Sequence, residues 1–427
     1  MNAIILSIGD ELVLGQTIDT NSAWLSQQLA QVGCAVSAHI TVADDQAAIE
    51  QAIRGSALRC DFLIITGGIG PTADDLTRQA LAAIMGVPLD LNESWLATLH
   101  DFFHARNRPM PAMNQIQAMI PRGAQMIYNT CGTAAGIRAT LSTPHCDVFV
   151  MPGVPKEMKA MFTRDVLPVI AQHSGGAVIL SRTLHTFGLG ESTVAEMLGS
   201  LMDRTRNPSV GTTVANGIVS LRINSRFDDP ARARAELEQT EAACRAALGE
   251  LIFGADDESL PQIIARLLLN PSAHGTEHST PTITTAESCT AGLLAKMLTD
   301  IPGSSAYFTH GWITYSNAAK TQLLGVSPKT LAQYGAVSEP TVCEMAVGAL
   351  SRANANLALA ISGIAGPDGG TPTKPVGTVC IALASTSAPT LARTFSLFGD
   401  REMIRDRAAK MALTLLRYHL LNRPLPF

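Results

Sequence analysis

Along the first 172 residues, short apolar runs alternate with stretches whose apolar positions recur at helical spacing. Ala3–Ser7, Cys34–Val42, Asp61–Thr66 (DFLIIT) and Asp147–Met151 read as strands. Asn21–Gln31 reads as a helix with Ala23, Trp24, Leu25 and Leu29 inward, as do Asp45–Gly55, a segment opening at Pro71, and Pro155–Gln172. Strands separated by helices of ~10–15 residues predict a parallel sheet covered on both faces.

The pattern breaks at His173-Ser-Gly-Gly-Ala. Beyond it come a strand (Val178–Phe187), a Gly-Leu-Gly-Glu-Ser turn into a helix, two alternating strands around Asn216-Gly217, and a helix at Pro230–Leu248. Asn-Gly between alternating segments predicts a hairpin, and the whole reads as a small α+β module of roughly 80 residues. The stretch Asn270–Thr280 is polar and turn-rich, as in a connector. From Pro281 the pattern predicts a strand, a helix, a strand at Gly311–Ser316 and two or three helices. Strands at Leu357–Ser362, Gly377–Ala384 and Leu391–Phe398 follow, then a closing helix at Asp400–Leu421. The expected division is 1–172, 173–255 and 256–427, with no internal repeat.

Composition agrees. A chain of 427 residues exceeds one core at ~100–200 residues per domain. Apolar residues at 46% and charged residues at 16% exclude a mainly disordered chain. A net charge of −5, from 31 basic and 36 acidic residues, lacks the electrostatic footprint of a nucleic-acid binder. Eight scattered cysteines without a C-x-x-C pair read as reduced thiols. The opening MNAIILSIGDELVLG has no basic n-region, which argues against a signal peptide. Apolar stretches such as Ile263–Leu269 fall short of the ~20 residues that span a bilayer. A cytoplasmic protein is expected.

Two glycine-rich strand ends carry candidate chemistry. In the run from Thr66 to Thr77 (TGGIGPTADDLT), a buried strand opens into Gly67, Gly68 and Gly70, with Pro71 and Thr72 expected to start a helix. Backbone N–H groups beside a helix start suit a phosphate. Asp74 and Asp75 suit a divalent cation bridging to one. An ordinary turn whose acidic residues complement the helix dipole explains the shape equally well. Asp10, Glu11 and Asp19 at the ends of other elements favour a functional acidic cleft, since parallel strand ends converge on one crevice.

In the second, Thr285-Ala286-Glu287-Ser288-Cys289-Thr290-Ala291-Gly292, a strand is expected to meet a helix whose first turn is Ser288 to Ala291. Ser288 is then either an N-cap or a nucleophile whose oxyanion the helix start stabilises. No histidine stands in a persuasive context as its base. Lys320, just past Thr314-Tyr315-Ser316-Asn317, is a candidate if desolvation lowers its pKa. Cys289 is a rival nucleophile, although packing explains it better without a His or resolving Cys. His100 and His104 at i,i+4 spacing match a metal pair, but a solvated helix face accounts for them more simply. The loop from Gly363 to Gly370 lets backbone approach a ligand, and Arg401 either opens the last helix or clamps a phosphate.

These motifs resemble the CinA (competence/damage-inducible protein A) family across the whole chain. Ser7-Ile8-Gly9-Asp10-Glu11, Asp19-Thr20-Asn21-Ser22, TGGIGPTADDLT, Asn129-Thr130-Cys131-Gly132-Thr133 and Met151-Pro152-Gly153-Val154-Pro155 resemble a molybdopterin-binding-like domain. In this family that domain is associated with metal-dependent ADP-ribose pyrophosphatase activity. The middle module is similar to a KH-like domain but shows no basic G-x-x-G clamp. TTAESCTAG, PGSSAYF, GWITYSNAAK, GAVSEP, SGIAGPDGG and KPVGTV resemble nicotinamide mononucleotide (NMN) deamidase.

The resemblance implies an α/β chain with a three-layer amino-terminal domain, a small α+β middle and an α/β deamidase domain. It implies Ser288 as nucleophile and Lys320 as base, with Tyr315 and Ser305 in the catalytic network. Thr290, Asn317, Gly363, Gly366 and Arg401 would contact NMN, while Asn21, Gly67, Gly68, Gly70 and Thr72 would contact ADP-ribose. Asp10, Asp74 and Asp75 would hold a divalent metal such as Mg, whereas deamidation would need no cofactor. The partners implied are these small nucleotides and a second copy of the chain in a homodimer, with no nucleic acid and no membrane. Ala135 stands where many members carry proline, and Ala112–Gln117 lacks the basic residues expected near Gln115 and Ile116. The alternative for the first domain is therefore a nucleotide- or molybdopterin-binding module without catalysis.

Overall fold

The computed structural model describes residues 1–173, 177–270 and 280–426. Most of the expected connector at 270–280, and Ser174–Gly176 of the expected break, lie outside the described residues. The chain divides into two compact units, residues 1–181 with 224–239 and residues 182–223 with 240–427.

In the amino-terminal part the strands are β1 (Asn2–Ile8), β2 (Ala35–Val42), β3 (Phe62–Thr66), β4 (Leu89–Leu91), β5 (Met119–Pro121), β6 (Gln125–Ile127), β7 (Gly136–Ser142) and β8 (His145–Met151). The helices are α1 (Asp10–Val13), α2 (Thr20–Gln31), α3 (Gln46–Ala57), α4 (Thr77–Met85), α5 (Glu93–His104), α6 (Pro155–Met161) and α7 (Leu167–His173). A π-helical turn at Phe162–Val166 joins the last two, where one helix was expected. The six-stranded sheet has the order β2-β1-β3-β8-β7-β6.

Alternate residues of its strands enter two cores. Ile4, Leu6, Leu63, Ile65, Val148 and Val150 pack with Ile49, Ile53 and Leu81. Ala3, Ile5, Phe62, Ile64, Phe149 and Met151 pack with Leu25, Leu29, Met158, Met161 and Ile170. This period-two sorting explains why the central strands β1, β3 and β8 are largely apolar on both faces.

The expected parallel sheet holds for β2-β1-β3-β8 only. The β8-β7-β6 edge is antiparallel, because the two-residue link Thr143-Pro144 between β7 and β8 closes a hairpin and is too short for a crossover. A second departure concerns α4, which begins at Thr77 rather than Pro71. Residues 67–76 are loop.

The middle sheet contains β9 (Val178–Phe187), β10 (Ser209–Ala215), β11 (Ile218–Phe227) and β12 (Ile252–Ala255), in the order β10-β11-β9-β12, accompanied by α8 (Glu191–Leu198) and α9 (Pro230–Leu248). The carboxy-terminal strands are β13 (Ile283–Glu287), β14 (Phe308–Ile313), β15 (Leu357–Gly363), β16 (Thr378–Ser385) and β17 (Leu391–Ser396). They form a sheet of order β14-β13-β15-β16-β17, parallel through β14-β13-β15 and antiparallel beyond. The accompanying helices are α10 (Leu260–Leu269), α11 (Leu293–Thr299), α12 (Asn317–Leu324), α13 (Pro328–Tyr334), α14 (Glu339–Ala353) and α15 (Arg401–Leu420). One face buries Ala286, Ala358, Ala360 and Ala382 under Val342, Met345 and Ala346 of α14. The other buries Leu359, Ile361 and Ile381 under Ile264 of α10 and Ala408, Ala412 and Leu415 of α15. Alanines on the α14 side let that helix approach closely. No described helix is long and apolar enough to cross a membrane.

Candidate active site

The carboxy-terminal ends of β14, β13 and β15 lie side by side, with Glu287 in register with Ile313 and Ile361. Ser288 leaves β13 there, its N–H donating to the Ile361 carbonyl at 3.0 Å. The expected helix does not start at Ser288. Residues 288–292 form a turn and α11 begins at Leu293. The cause is Glu287, 1% exposed. Its carboxylate accepts the N–H groups of Gly292 (3.0 Å), Leu294 (3.1 Å) and Ala295 (2.8 Å). A buried side chain thus occupies the donors a helix start leaves open. Ser288 is therefore not an N-cap, and α11 does not present its N-terminus to an oxyanion. Ala291 and Gly292 take left-handed φ values of 50° and 94°, which turn the chain into α11.

The expected strand at 311–316 also shifts, because β14 ends at Ile313. Thr314–Ser316 form a short link and Ser316 caps α12 by accepting from the Ala319 N–H at 3.1 Å. Lys320, in the first turns of α12, is 1% exposed. Its Nζ lies 3.0 Å from Ser288 Oγ, 2.8 Å from the Thr314 carbonyl and 3.4 Å from the Tyr315 carbonyl. Burial holds its pKa below the usual lysine value, with the nearby Cys289 thiol acting in the opposite sense. No carboxylate pairs with it among the described residues. Lys320 thus donates to the Ser288 hydroxyl and to the two carbonyls, and an amine there that has lost its proton can accept one from Ser288.

Cys289 is 6% exposed, and burial pushes its thiol up to about 11, so it is protonated at neutral pH and serves the core. Tyr315 is placed differently from expectation. The residue is 59% exposed, and its hydroxyl accepts from Arg401 Nη2 at 3.1 Å. Only its backbone carbonyl touches Lys320. Arg401 Nη1 also donates to the Gly366 carbonyl at 2.7 Å, tying the loop after Gly363 to Tyr315. Asn317 is the exposed first residue of α12. Thr290 is buried, its hydroxyl without a partner among the described residues.

Ser305 is not brought to Ser288. It is exposed on the 3-10 turn Ser304–Ala306 that feeds the amino end of β14. Because β14 runs parallel to β13, that end lies opposite the one carrying Ser288.

Two residues escaped sequence reading. Glu287 sits directly before Ser288 inside the quoted motif, but its role depends on reaching donors five to eight residues ahead. Arg405 of α15 donates from Nε to the Cys289 carbonyl (3.0 Å) and from Nη2 to the Thr290 carbonyl (2.8 Å). Nothing local signals that contact.

In the amino-terminal part the ends of β1, β3 and β8 are likewise in register at Ser7, Thr66 and Met151. A cleft of about 450 Å³ there is lined by Gly67, Gly68, Gly70, Asp74 and Asp75, with Glu11, Asp44, Gln117 and Glu157. A Cβ on Gly67 would fall 2.1 Å from the Ile8 carbonyl oxygen, and its φ is 106°. Asp75 holds the loop. Its carboxylate accepts from the N–H of Gly70 (2.7 Å), the N–H of Thr72 (2.9 Å) and the Thr72 hydroxyl (2.5 Å). Arg78 is buried beneath, donating to the carbonyls of Ile69 and Gly70, and burial pushes its pKa down to about 10.

Asn21 donates to the Gly153 carbonyl at 2.8 Å and to Thr66 Oγ1 at 3.2 Å, linking the loops. Asp19 caps α2 through the Ser22 N–H and accepts from the Ser7 hydroxyl. Asp10 and Asp44 exchange reciprocal bonds, each backbone N–H to the other's carboxylate. Burial raises the Asp44 pKa, and the negative charges of Asp10, Glu11 and Asp74 add to it. Among the described residues, no three carboxylate, imidazole or thiol groups are placed to hold a metal ion. His100 and His104 lie exposed on α5.

Family models match three successive segments: "Probable molybdopterin binding domain" over residues 4–172, "Damage-inducible protein CinA KH domain" over 181–254, and "CinA C-terminal domain" over 270–420. A Symbiobacterium thermophilum relative bearing the competence-damage inducible protein name is 43% identical over 99% of each chain. A CinA-like protein of Frankia casuarinae is 42% identical over 99% of this chain and 97% of its own. The crystal structure of competence/damage inducible protein CihA from Agrobacterium tumefaciens is 40% identical, covering 38% of this chain and 96% of that one at a TM-score of 0.35. The matched segments make this mixed α/β protein one with a molybdopterin-binding-like domain, a KH-like middle and a carboxy-terminal CinA domain. The chain belongs to the CinA family.

Proposed function

We propose that the carboxy-terminal domain is an amidohydrolase that converts NMN to nicotinate mononucleotide and ammonia. The observation that carries this reading is the buried Lys320 amine 3.0 Å from Ser288 Oγ, with backbone carbonyls accepting its other hydrogens. Such a pair is an activated nucleophile. Neutral Lys320 takes the hydroxyl proton as Oγ attacks the carboxamide carbon, and the carbonyl electrons move onto oxygen. Collapse of that tetrahedral species expels ammonia, which leaves with the proton returned by Lys320. Water then attacks the acyl-enzyme ester, again giving its proton to Lys320, and releases the carboxylate and free Ser288. The net change is amide plus water to carboxylate plus ammonium, with no cofactor. General-base assistance supplies ~10²–10⁴-fold. Thr290, Asn317, Gly363, Gly366 and Arg401 are the nucleotide contacts in this proposal. The test is ammonia release from NMN by the purified protein. A well-folded protein releasing none refutes the reading.

For the amino-terminal cleft we propose nucleotide binding. ADP-ribose hydrolysis through a divalent cation on Asp10, Asp74 or Asp75 is its catalytic form. Asp75 already serves the loop, and among the described residues no three-residue ligand set is assembled, so the arrangement favours binding without catalysis. An ADP-ribose melting shift without turnover, with or without added Mg, supports that reading. Chelator-sensitive turnover reverses it. The same proposal makes the protein a cytoplasmic homodimer acting on small nucleotides, without nucleic acid or membrane partners.

A further inference from the structure

The turn that carries Ser288 is gripped from both sides. Glu287 takes the N–H groups that follow it, at Gly292, Leu294 and Ala295. Arg405, half-buried and reaching from α15, takes its carbonyls at Cys289 and Thr290. Arg405 forms no ion pair among the described residues, and those carbonyls are its hydrogen-bond partners. Between the two grips stands Ala291 at φ 50°, a conformation an alanine side chain disfavours. A strained residue persists only where its surroundings over-determine it.

The peptide planes show what the grip accomplishes. The plane joining Ser288 to Cys289 is pinned because the Ala291 N–H donates to the Ser288 carbonyl at 3.1 Å. The next plane is pinned because Arg405 Nε holds the Cys289 carbonyl. Both planes flanking Cys289 are therefore fixed, and a trans peptide directs its N–H opposite its carbonyl. The Cys289 N–H bonds its own thiol. The pinned planes therefore fix the backbone that leaves Ser288, whose Oγ meets Lys320 Nζ at 3.0 Å.

We infer that Arg405 is a positioning residue for this reaction, one that holds the nucleophile's turn so that the Ser288 hydroxyl stays against the Lys320 amine. This inference rests on the amidohydrolase reading. Arg405 itself touches neither Ser288 Oγ nor Lys320. Its effect falls on turnover more than on substrate binding, because a displaced nucleophile loses its attack geometry while the nucleotide contacts stay in place.

The experiment compares the full-length protein with Arg405→Ala and Arg405→Lys, measuring NMN-dependent ammonia release, thermal unfolding and rescue by millimolar guanidinium chloride. The expected result is kcat lower by ~10–100-fold in Arg405→Ala with KM within about twofold, since small misplacements cost up to ~10². Guanidinium is expected to restore part of the lost rate, and Arg405→Lys, which keeps a cationic donor, to fall between. A raised KM with unchanged kcat would make Arg405 a substrate contact and overturn the inference, as would unchanged kinetics. Should Arg405→Ala not fold, Arg405→Lys with wild-type kcat overturns it alone. An inactive parent instead refutes the amidohydrolase reading, and the inference falls with it.

Discussion

Lys320 Nζ stands 3.0 Å from Ser288 Oγ, joining two residues 32 positions apart through the ends of adjacent parallel strands. The lysine is buried and its nearest partners are two carbonyls and a hydroxyl. An amine so placed is easier to deprotonate than one in water. That relationship supports most of the expectations below.

Ser288→Ala is expected to reduce ammonia release from NMN to background while leaving the unfolding midpoint within a few degrees. The hydroxyl supplies one hydrogen bond, of ~0.5–1.5 kcal/mol to stability, but all of the nucleophile. Retained turnover in a correctly folded variant refutes the serine mechanism.

The pH dependence follows from the depressed Lys320 pKa. The base works when neutral, so the acid limb of kcat/KM is expected below the ordinary lysine value near 10.5. Stability follows the same shift. The unfolded chain binds this proton more tightly, so the folded state gains stability as pH rises from the folded pKa to the unfolded one. Lys320→Met removes that dependence. Urea titrations across pH are expected to show the parent gaining on the variant over that window, and parallel curves would contradict the shift.

Tyr315→Phe separates two roles for the phenol. Its hydroxyl bonds Arg401, not the Ser–Lys pair, so its loss is expected to raise KM for NMN while leaving the acid limb of the pH profile in place. A displaced limb would show that the phenol takes part in proton transfer after all.

In the amino-terminal loop, Gly67→Ala and Gly153→Ala make a matched pair. A methyl at Gly67 falls 2.1 Å from the Ile8 carbonyl oxygen at a left-handed φ, whereas one at Gly153 meets only the Gly67 Cα at 3.6 Å. Gly67→Ala is expected to destabilise the protein by more than ~1 kcal/mol and Gly153→Ala by less. Equal midpoints in chemical denaturation would contradict this close approach.

Adding EDTA is expected to leave ammonia release unchanged, since Ser288 and Lys320 complete the proposed chemistry alone. Loss of activity that Mg restores would place a metal in the carboxy-terminal reaction.

Much of the chain's organisation is written locally, and the reason is periodicity. Runs such as Phe62–Ile65 and Leu357–Ile361 are continuously apolar because both sheet faces are covered, and that covering is legible one residue at a time. The Asn216-Gly217 hairpin and the closing helix likewise follow from short-range rules. Ser288 and Lys320 stood out as chemistry because each lies beside a strand end, though nothing in the sequence measures the gap between them.

Tertiary structure decided what local patterns cannot carry. Where α11 starts was settled by Glu287 folding forward onto its donors, and where α4 starts by the Asp75-held loop. Both helices begin later than propensity suggests, because a side chain already satisfies the backbone that would have extended them. The parallel direction of β13 and β14 alone separates Ser305 from Ser288. Arg405 reaches its carbonyls from more than a hundred residues away. Sequence records which groups can donate and accept; only the packed sheet, by setting which strand ends adjoin, determines which of them meet.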